Sequence, residues 1–185
     1  MKRQLRNWIK QQKKQYSPLQ LTTWSTSLLD KLIDHPRFRE AQTVLLYYSL
    51  PDEVRTHEFV ERISQEKQVV LPVVTGDELE LRRYSGKTDL KKGSFGIDEP
   101  TGEIVTDFSS IDVAIIPGVG FDKHGNRLGR GKGYYDRLLP KLQSYNIGVC
   151  FSFQVLPEIP TESFDRPMDE VWTQEGCISE KRYSQ

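Results

Sequence analysis

The sequence has little cysteine, and its few histidines do not suggest a metal site. Among the 185 residues there are two cysteines, Cys150 and Cys177, and three histidines, none in a paired spacing. Neither a zinc centre nor a disulfide framework is therefore indicated. Cys150 lies in the apolar run IGVCF, which predicts a small side chain packed in the core. These features favour a reduced, cytoplasmic compartment.

Long apolar runs and an excess of charge of one sign are also missing. No apolar run approaches the ~18 residues that cross a membrane, and the basic N-terminus lacks the apolar core of a signal peptide. The 26 basic side chains balance the 26 acidic ones. Net charge therefore indicates neither a nucleic-acid coat nor a membrane-binding surface. We expect a protein with no nucleic-acid or membrane partner.

Charge is unbalanced at one place, the first 14 residues. This segment holds six basic side chains and no acidic one: Lys2, Arg3, Arg6, Lys10, Lys13 and Lys14. Leu5, Trp8 and Ile9 recur at helical spacing, which predicts a basic helix over about 2–14 with an apolar side.

Short apolar runs alternate with helical patterns along the rest of the chain. Consecutive apolar positions predict buried strands at 43–48, 67–74, 113–116 and 146–151, and alternation predicts a half-buried strand at 78–84. Helices are predicted at 18–33, 56–67 and 134–142, and turns dominate 85–110. The order predicts one α/β domain over residues 1–185. Its three layers are a mostly parallel, Rossmann-like central sheet and helices on both faces.

The most unusual segment is residues 120–139, GFDKHGNRLGRGKGYYDRLL, called the glycine stretch below. It contains five of the 13 glycines and five Lys or Arg side chains. Because it follows a predicted buried strand and precedes a helix, its backbone amides can point at an anion. Gly129, Gly131 and Gly133 leave room for close approach, and basic side chains between them supply positive charge. These features predict a polyphosphate cradle.

The spacing of these glycines matches neither common phosphate-binding motif. A Walker A loop needs Gly-Lys followed by Ser or Thr, whereas Gly133 follows Lys132 here. The G-x-G-x-x-G dinucleotide pattern is also absent. Motif rules alone therefore indicate an anion-binding loop, and a solvated glycine-rich turn is the alternative.

The longer string PGVGFDKHGNRLGRGKGYYDRLL, residues 117–139, closely resembles the signature of the 5-formyltetrahydrofolate cyclo-ligase family. The resemblance covers essentially the whole chain. It includes KRQLR (2–6), SLPDEVRT (49–56), GSFGIDEP (93–100) and FDRPMDEV (164–171). It implies ATP-dependent cyclisation of 5-formyltetrahydrofolate, with or without a polyglutamate tail, to 5,10-methenyltetrahydrofolate. ADP, phosphate, a phosphorylated formyl intermediate, a requirement for Mg²⁺ and a monomeric enzyme are implied with it.

The resemblance also implies the site residues. Expected ATP contacts are Lys2, Arg3, Gln4, Leu5, Arg6, Arg127, Leu128, Gly129, Arg130, Gly131, Lys132, Gly133, Tyr134 and Tyr135. Expected folate contacts are Tyr48, Glu53, Arg130, Gly131, Lys132, Gly133 and Tyr134. Arg130 and Lys132 are the expected catalytic side chains, and Asp136 and Asp165 the expected magnesium ligands. The segment 93–100 is a candidate loop that closes over the ligands.

Each of these residues also has an ordinary structural interpretation. Asp136 would be a surface acid paired with arginine, Glu53 an acid favoured by a helix N-terminus, and Tyr48 a common strand-end aromatic. The basic N-terminal helix would be a solvated face, most readily at Lys10, Lys13 and Lys14.

Three other functions fit the same pattern. An α/β fold with an anion-binding loop also suits a sugar-phosphate isomerase or a CoA transferase, neither of which hydrolyses ATP. A nucleotide-binding regulatory module without turnover is the second. The third is a nucleic-acid binder, against which the balanced charge argues.

Overall fold

The computed structural model describes residues 1–179, apart from the side chain of Phe95. The helices are α1 (Lys2–Lys13), α2 (Pro18–Ile33), α3 (Pro36–Glu40), α4 (His57–Ile63) and α5 (Tyr134–Leu138). The strands are β1 (Thr43–Leu45), β2 (Gln68–Thr75), β3 (Glu78–Tyr84), β4 (Leu90–Lys92), β5 (Asp98–Pro100), β6 (Val113–Pro117), β7 (Gly120–Phe121), β8 (Arg127–Leu128), β9 (Tyr145–Val149), β10 (Glu170–Thr173) and β11 (Gly176–Cys177).

Seven strands form the central sheet in the order β11-β10-β9-β6-β1-β2-β3. The five inner strands are parallel, and β3 and β11 run antiparallel at the two edges. Val44 of β1 lies opposite Val69 on one side and Val113 on the other. Since parallel strands end at the same edge, the loops after β1 and β6 meet there.

Alternating side chains of the sheet supply two separate hydrophobic layers. Val44 and Leu46 pack with buried residues of α2, α3 and α4 on one face. Leu45 points the other way, into a cluster with Leu138 of α5 and Leu142. The predicted three-layer α/β architecture, with a mostly parallel sheet and helices on both faces, is confirmed. Cys150 is fully buried, as its apolar surroundings predict.

Local sequence signals explain where several helices begin and end. Ser17 caps α2 by accepting a hydrogen bond from the Gln20 N–H at 3.1 Å, and Pro18 occupies the first helical position. The helix expected to reach Leu142 stops at Leu138 and continues as a 3₁₀ turn, Leu139–Lys141. Pro140 explains the change, because proline has no N–H to continue an α-helix.

Other sequence predictions of secondary structure need correction. The strand expected over 43–48 ends at Leu45, and the helix expected over 56–67 ends at Ile63. The segment 85–110, expected to be turns, contains the antiparallel pair β4 and β5. α3 begins at Pro36, where only a helix stop is predicted, and the β7–β8 pair lies inside the glycine stretch.

The N-terminal helix docks on the loops at the carboxyl edge of the sheet. Ile9 is buried against Leu128, Leu156 and Ile159. Trp8, which helical spacing places on the same side, is 48% exposed. Within residues 1–179, no helix is long and apolar enough to cross a membrane.

Candidate active site

A buried carboxylate organises the start of the glycine stretch. Asp122 is fully buried, and its Oδ1 accepts hydrogen bonds from the backbone N–H groups of His124 and Asn126, each at 3.0 Å. Its Oδ2 accepts from Asn126 Nδ2 and from the Ile159 N–H, also at 3.0 Å. Asp122 therefore closes the turn between β7 and β8 and ties it to the C-terminal part of the chain.

Three glycines in the stretch, Gly125, Gly131 and Gly133, have positive φ angles, and the last two flank Lys132. Gly131 has a φ of 98° and Gly133 a φ of 73°, a region in which a Cβ is strained. Lys132 lies between them with an exposed side chain. No other group within residues 1–179 forms a hydrogen bond or ion pair with its ammonium. The stretch thus presents bare backbone beside a positive charge that the protein does not neutralise by direct contact.

Arg130 joins the glycine stretch to the turn after β1. Its guanidinium donates to both carboxylate oxygens of Asp52, at 3.0 and 2.5 Å, and lies 3.7 Å from Glu53 Oε1. A bidentate pair of this kind fixes the plane of the guanidinium. Arg130 and Asp52, which are 78 positions apart in the sequence, are therefore joined in the folded protein.

Glu53 is held in a dehydrated position beside Arg130. Its side chain is 11% exposed, and its Oε1 accepts a hydrogen bond from the Leu50 N–H at 3.0 Å. Burial raises the pKa of Glu53, and the positive charge of Arg130 offsets only part of this effect. Glu53 precedes α4, whose first-turn acid is Glu58. The interpretation of Glu53 as an acid in a helix N-terminus is therefore wrong.

Arg127 supports the opposite side of the stretch. Its Nε donates to the Pro117 carbonyl at 2.7 Å, and its guanidinium lies over the Tyr135 ring, 4.7 Å from the centroid. Asp136 Oδ1 lies 3.7 Å from the same guanidinium, with the Asp136 side chain 48% exposed. The Arg127 guanidinium thus contacts both the end of β6 and the start of α5.

These groups surround a cavity of about 340 Å³ at the carboxyl edge of the sheet, called the main cavity below. Its wall is largely aromatic and aliphatic. This part of the lining consists of Tyr47, Tyr48, Leu50, Pro72, Val74, Leu79, Ile97, Pro117, Tyr134 and Tyr135. Polar groups converge on it from three segments: the loop after β1, strand β5 and the glycine stretch. A mainly apolar cleft with a few polar groups is typical of a small-molecule site.

Tyr48 is fixed in the cavity wall by a neighbouring ring. It stacks on His57 with centroids 3.9 Å apart and an interplanar angle of 8°. His57 Nε2 lies 2.9 Å from the Ser49 carbonyl oxygen. The structure therefore places Tyr48 where a planar ligand would meet an aromatic wall.

The basic helix α1 reaches the glycine stretch mainly through Arg6. Its Nε donates to the Gly129 carbonyl at 2.6 Å, and Lys2 Nζ lies 3.9 Å from Asp165 Oδ2. Arg3 and Gln4 are exposed, whereas Leu5 packs beside Ile9. Arg6, Lys10 and Lys13 line a second cavity of about 570 Å³, which shares Gly118 and Arg130 with the main cavity.

The residues predicted from the sequence divide into two groups. Those that line the main cavity are Tyr48, Glu53, Arg127, Gly129, Arg130, Lys132, Gly133, Tyr134, Tyr135 and Asp136. Those that do not are Lys2, Arg3, Gln4, Leu5, Arg6, Leu128, Gly131 and Asp165. Leu128 is fully buried in the core beneath α1.

The two predicted magnesium ligands have different surroundings. Asp136 lies beside Arg127 at the cavity, whereas Asp165 Oδ2 accepts the Glu162 N–H at 2.8 Å and lies near Lys2. Over the described part of the chain, no three His, Cys, Asp or Glu side chains are grouped to hold a metal ion. A site made of protein ligands alone is therefore not formed. Mg²⁺ commonly uses one or two carboxylates together with substrate phosphates, and the exposed carboxylate of Asp136 fits that mode.

Two residues at or near the site are absent from the sequence prediction. Asp52 orients Arg130, and Asp122 shapes the stretch. An aspartate before a Gly-Asn turn is a recognisable turn signal that applies to Asp122. Nothing local marks Asp52, because its role depends on contact with a distant segment. Glu99, expected only as part of the candidate loop 93–100, lines the main cavity although it is only 6% exposed.

Known proteins with related sequences are named as one family. The model of the 5-formyltetrahydrofolate cyclo-ligase family matches residues 1–174. The 5-formyltetrahydrofolate cyclo-ligase of Mus musculus is 32% identical over 96% of both chains. That of Haemophilus influenzae is 31% identical over 92% of this chain and 96% of its own.

Solved structures give the same result. The 5,10-methenyltetrahydrofolate synthetase of Aquifex aeolicus superposes with a TM-score of 0.87 at 34% identity, covering 100% of this chain and 96% of its own. That of Mycoplasma pneumoniae gives 0.75 at 27% identity, covering 94% and 98%. On the family match, the sequence identity and the shared fold together, this chain belongs to the 5-formyltetrahydrofolate cyclo-ligase family.

Proposed function

We propose that this protein converts 5-formyltetrahydrofolate to 5,10-methenyltetrahydrofolate, using ATP and releasing ADP and phosphate. One observation carries the proposal. The main cavity combines an apolar, aromatic wall and the carboxylate of Glu53 with the cationic, glycine-rich backbone around Lys132. A flat ring with N–H donors suits the first part, and a polyphosphate suits the second. The family relationship supports the same pairing of substrates.

The proposed folate position follows from the chemistry of the wall. A reduced pterin presents several ring N–H donors, and an ionised carboxylate such as that of Glu53 accepts them well. Tyr48, held by His57, provides an aromatic surface for the ring. The formyl group would then lie toward Arg130, which is close to both Glu53 and Lys132.

The proposed reaction has two stages. The formyl oxygen attacks the γ-phosphorus of ATP, so that a new O–P bond forms, the bond to the ADP oxygen breaks and an imidate phosphate results. The 10-nitrogen then attacks the formyl carbon, loses its proton, and the C–O bond to phosphate breaks. Phosphorylation turns a poor leaving oxygen into a good one. The protein therefore has mainly to position the groups and neutralise charge, for which Arg130 and Lys132 are placed.

We also propose that ATP is held between α1 and the glycine stretch. Arg6 already contacts Gly129, and Lys2 extends the positive surface along the same helix. Asp136 and Asp165 would hold magnesium together with the phosphates, which would supply further neutralisation of phosphate charge. We propose a monomeric, cytoplasmic enzyme that also accepts polyglutamylated substrate.

The test uses the near-ultraviolet absorbance of the methenyl product. Purified protein is mixed with 5-formyltetrahydrofolate, ATP and magnesium, and each component is omitted in turn. We expect absorbance to rise only in the complete mixture, with one ADP released per product. No rise with folded protein would overturn the proposal and favour the sugar-phosphate or CoA alternatives.

A further inference from the structure

One buried carboxylate in the main cavity has no role in the mechanism above. Glu99, on β5, is only 6% exposed, yet it lines the cavity. Within the described part of the chain, no donor hydrogen-bonds to its carboxylate and no cation pairs with it. Among the described residues, no side-chain oxygen is both fully buried and without a hydrogen-bond partner. The unpaired carboxylate oxygens of Glu99 therefore keep access to the cavity, where a ligand can supply the donor that the protein does not.

The neighbouring backbone leaves space for this carboxylate. A Cβ placed on Gly93 would lie 1.9 Å from Glu99 Cδ and 1.9 Å from its Oε2. The φ of Gly93 is −105°, which any residue adopts, so backbone conformation does not require glycine there. In this conformation the Glu99 carboxylate occupies the space that a Cβ at residue 93 would take. The Glu99 carboxylate therefore packs directly on the backbone of Gly93, and a side chain at 93 would displace it.

We propose that Glu99 is a second folate-binding carboxylate, which accepts N–H donors of the reduced pterin from a different loop than Glu53. This inference rests on the function proposed above and deepens it. Glu53 comes from the turn after β1, and Glu99 from the hairpin of β4 and β5. Two carboxylates in one small cavity can together satisfy more of the ring donors than one can.

The chemistry of the lining selects this ligand over the other groups in the reaction. A carboxylate repels phosphate oxygens, and the two arginines of the lining already have other bonds: Arg130 with Asp52 and Arg127 with Pro117. Lys132, the third cation of the lining, forms no ion pair with Glu99 within the described residues. Ile97, two residues before Glu99, and other apolar residues line the same cavity. A flat ring carrying N–H groups matches both the apolar wall and the unpaired acceptor.

The experiment measures binding without turnover. Wild type, Glu99→Ala and Glu99→Gln are titrated with 5-formyltetrahydrofolate in the absence of ATP, by calorimetry. We expect Glu99→Ala to bind the folate about 10- to 100-fold more weakly, the range for a hydrogen bond to a charged group. Glu99→Gln keeps one acceptor oxygen and should lose less. The Michaelis constant for ATP should stay within about twofold in both, since the ATP phosphates lie elsewhere in the proposal.

Thermal unfolding separates this role from a structural one. Glu99→Ala breaks no side-chain hydrogen bond or ion pair within the described residues, so it should unfold at about the same temperature as wild type. A structural role would lower that temperature. Gly93→Ala should weaken folate binding in the same direction, because the added Cβ occupies the place of the carboxylate.

The matched control is Glu103→Ala, a nearby glutamate with an 80% exposed side chain that lies 3.6 Å from Arg83. It should bind folate as wild type does. Wild-type affinity in Glu99→Ala, or a loss shared equally with Glu103→Ala, would overturn the inference while leaving the proposed reaction intact. Failure of wild type to bind the folate at all would overturn both.

Discussion

Polar side chains at the amino end of the central sheet bond to one another, whereas two charged side chains at the carboxyl end have no partner within the described residues. At the amino end, Glu170 accepts hydrogen bonds from Tyr145 at 2.7 Å and from Trp172 at 3.4 Å, and lies 2.7 Å from His35 Nε2. We call these four residues the Glu170 cluster. At the carboxyl end, Lys132 and Glu99 contact no opposite charge within residues 1–179.

The pKa values of two glutamates show the same contrast. Burial alone would raise the pKa of Glu170, but hydrogen bonds from Tyr145 and His35 outweigh it and lower the pKa. For Glu53, burial outweighs Arg130, and the pKa is raised. The hydrogen bonds at the amino end stabilise the fold. At the carboxyl end, the burial of Glu53 costs stability and keeps its carboxylate available to ligands.

The largest expected effect comes from removing the free charge of the glycine stretch. Lys132→Ala should lower kcat by about 10²- to 10³-fold, because a preorganised group that stabilises transition-state charge is lost. Its unfolding temperature should not change, since Lys132 makes no side-chain bond within the described residues. Steady-state kinetics and thermal unfolding test both parts. Lys141→Ala is the control, an exposed lysine 3.3 Å from Glu78, and unchanged kinetics in Lys132→Ala would remove that lysine from the site.

A smaller and more selective effect is expected at Glu53. Glu53→Gln should raise the dissociation constant for 5-formyltetrahydrofolate about 10-fold or more, through loss of a charged acceptor. Affinity for ATP should change much less. Calorimetric titration with each ligand separates the two, and Glu58→Gln, an exposed acid in the first turn of α4, serves as the control. An equal loss for both ligands would indicate a defect in the fold.

The Glu170 cluster should respond in stability and not in activity. Glu170→Ala leaves the hydroxyl of Tyr145 and the ring of His35 without their acceptor, which should cost about 1–3 kcal/mol of unfolding free energy. The value of kcat/KM should stay at the wild-type level, because the cluster lies at the opposite end of the sheet from the cavity. Denaturant unfolding gives the first quantity and steady-state kinetics the second. A clear loss of activity in the folded variant, beyond that of the exposed control Glu175→Ala, would contradict the division between the two ends.

The smallest effects are expected from pH, with opposite signs at the two glutamates. The pKa of Glu170 is lowered in the fold, so its contribution to stability is present above its unfolded value of about 4.3. That contribution is lost as pH falls through the folded value. The pKa of Glu53 is raised, so its ionised form destabilises the fold near neutral pH, and protonation relieves this on acidification.

The ionisation of Glu53 should also change the affinity for folate. Folate affinity should weaken as pH falls through the raised pKa of Glu53, at a pH above the ordinary value of about 4.3. Glu53→Gln should remove this dependence of folate affinity on pH. A folate dissociation constant that is independent of pH over this range in wild type would argue against an ionised Glu53 as the acceptor.

Much of the architecture was accessible to prediction from short segments. The apolar run at 113–116 and the helical pattern from residue 18 are local patterns with one stable outcome, and the strand and the helix that they predict are both confirmed. The sequence does not predict the hairpin of β4 and β5, because two of the three residues of Leu90–Lys92 are lysines and this strand pairs with β5 outside the central sheet. The ends of strands are also predicted poorly from the sequence. After Leu45 the chain leaves the ladder and satisfies its polar groups through Thr56, whose hydroxyl donates to the Tyr47 carbonyl.

The sequence by itself determined the α/β class, the position of the glycine stretch and the family, because periodicity, glycine spacing and a long signature are properties of contiguous residues. Only the tertiary structure decided which loops share a cavity. The pairing of Arg130 with Asp52, the docking of Arg6 on Gly129 and the fit of Glu99 against Gly93 all depend on how β1, β6 and the β4–β5 hairpin are arranged. Burial patterns specify which face of an element is covered, but not which distant side chain covers it. Charges left unpaired at a site therefore become visible only after the chain has folded.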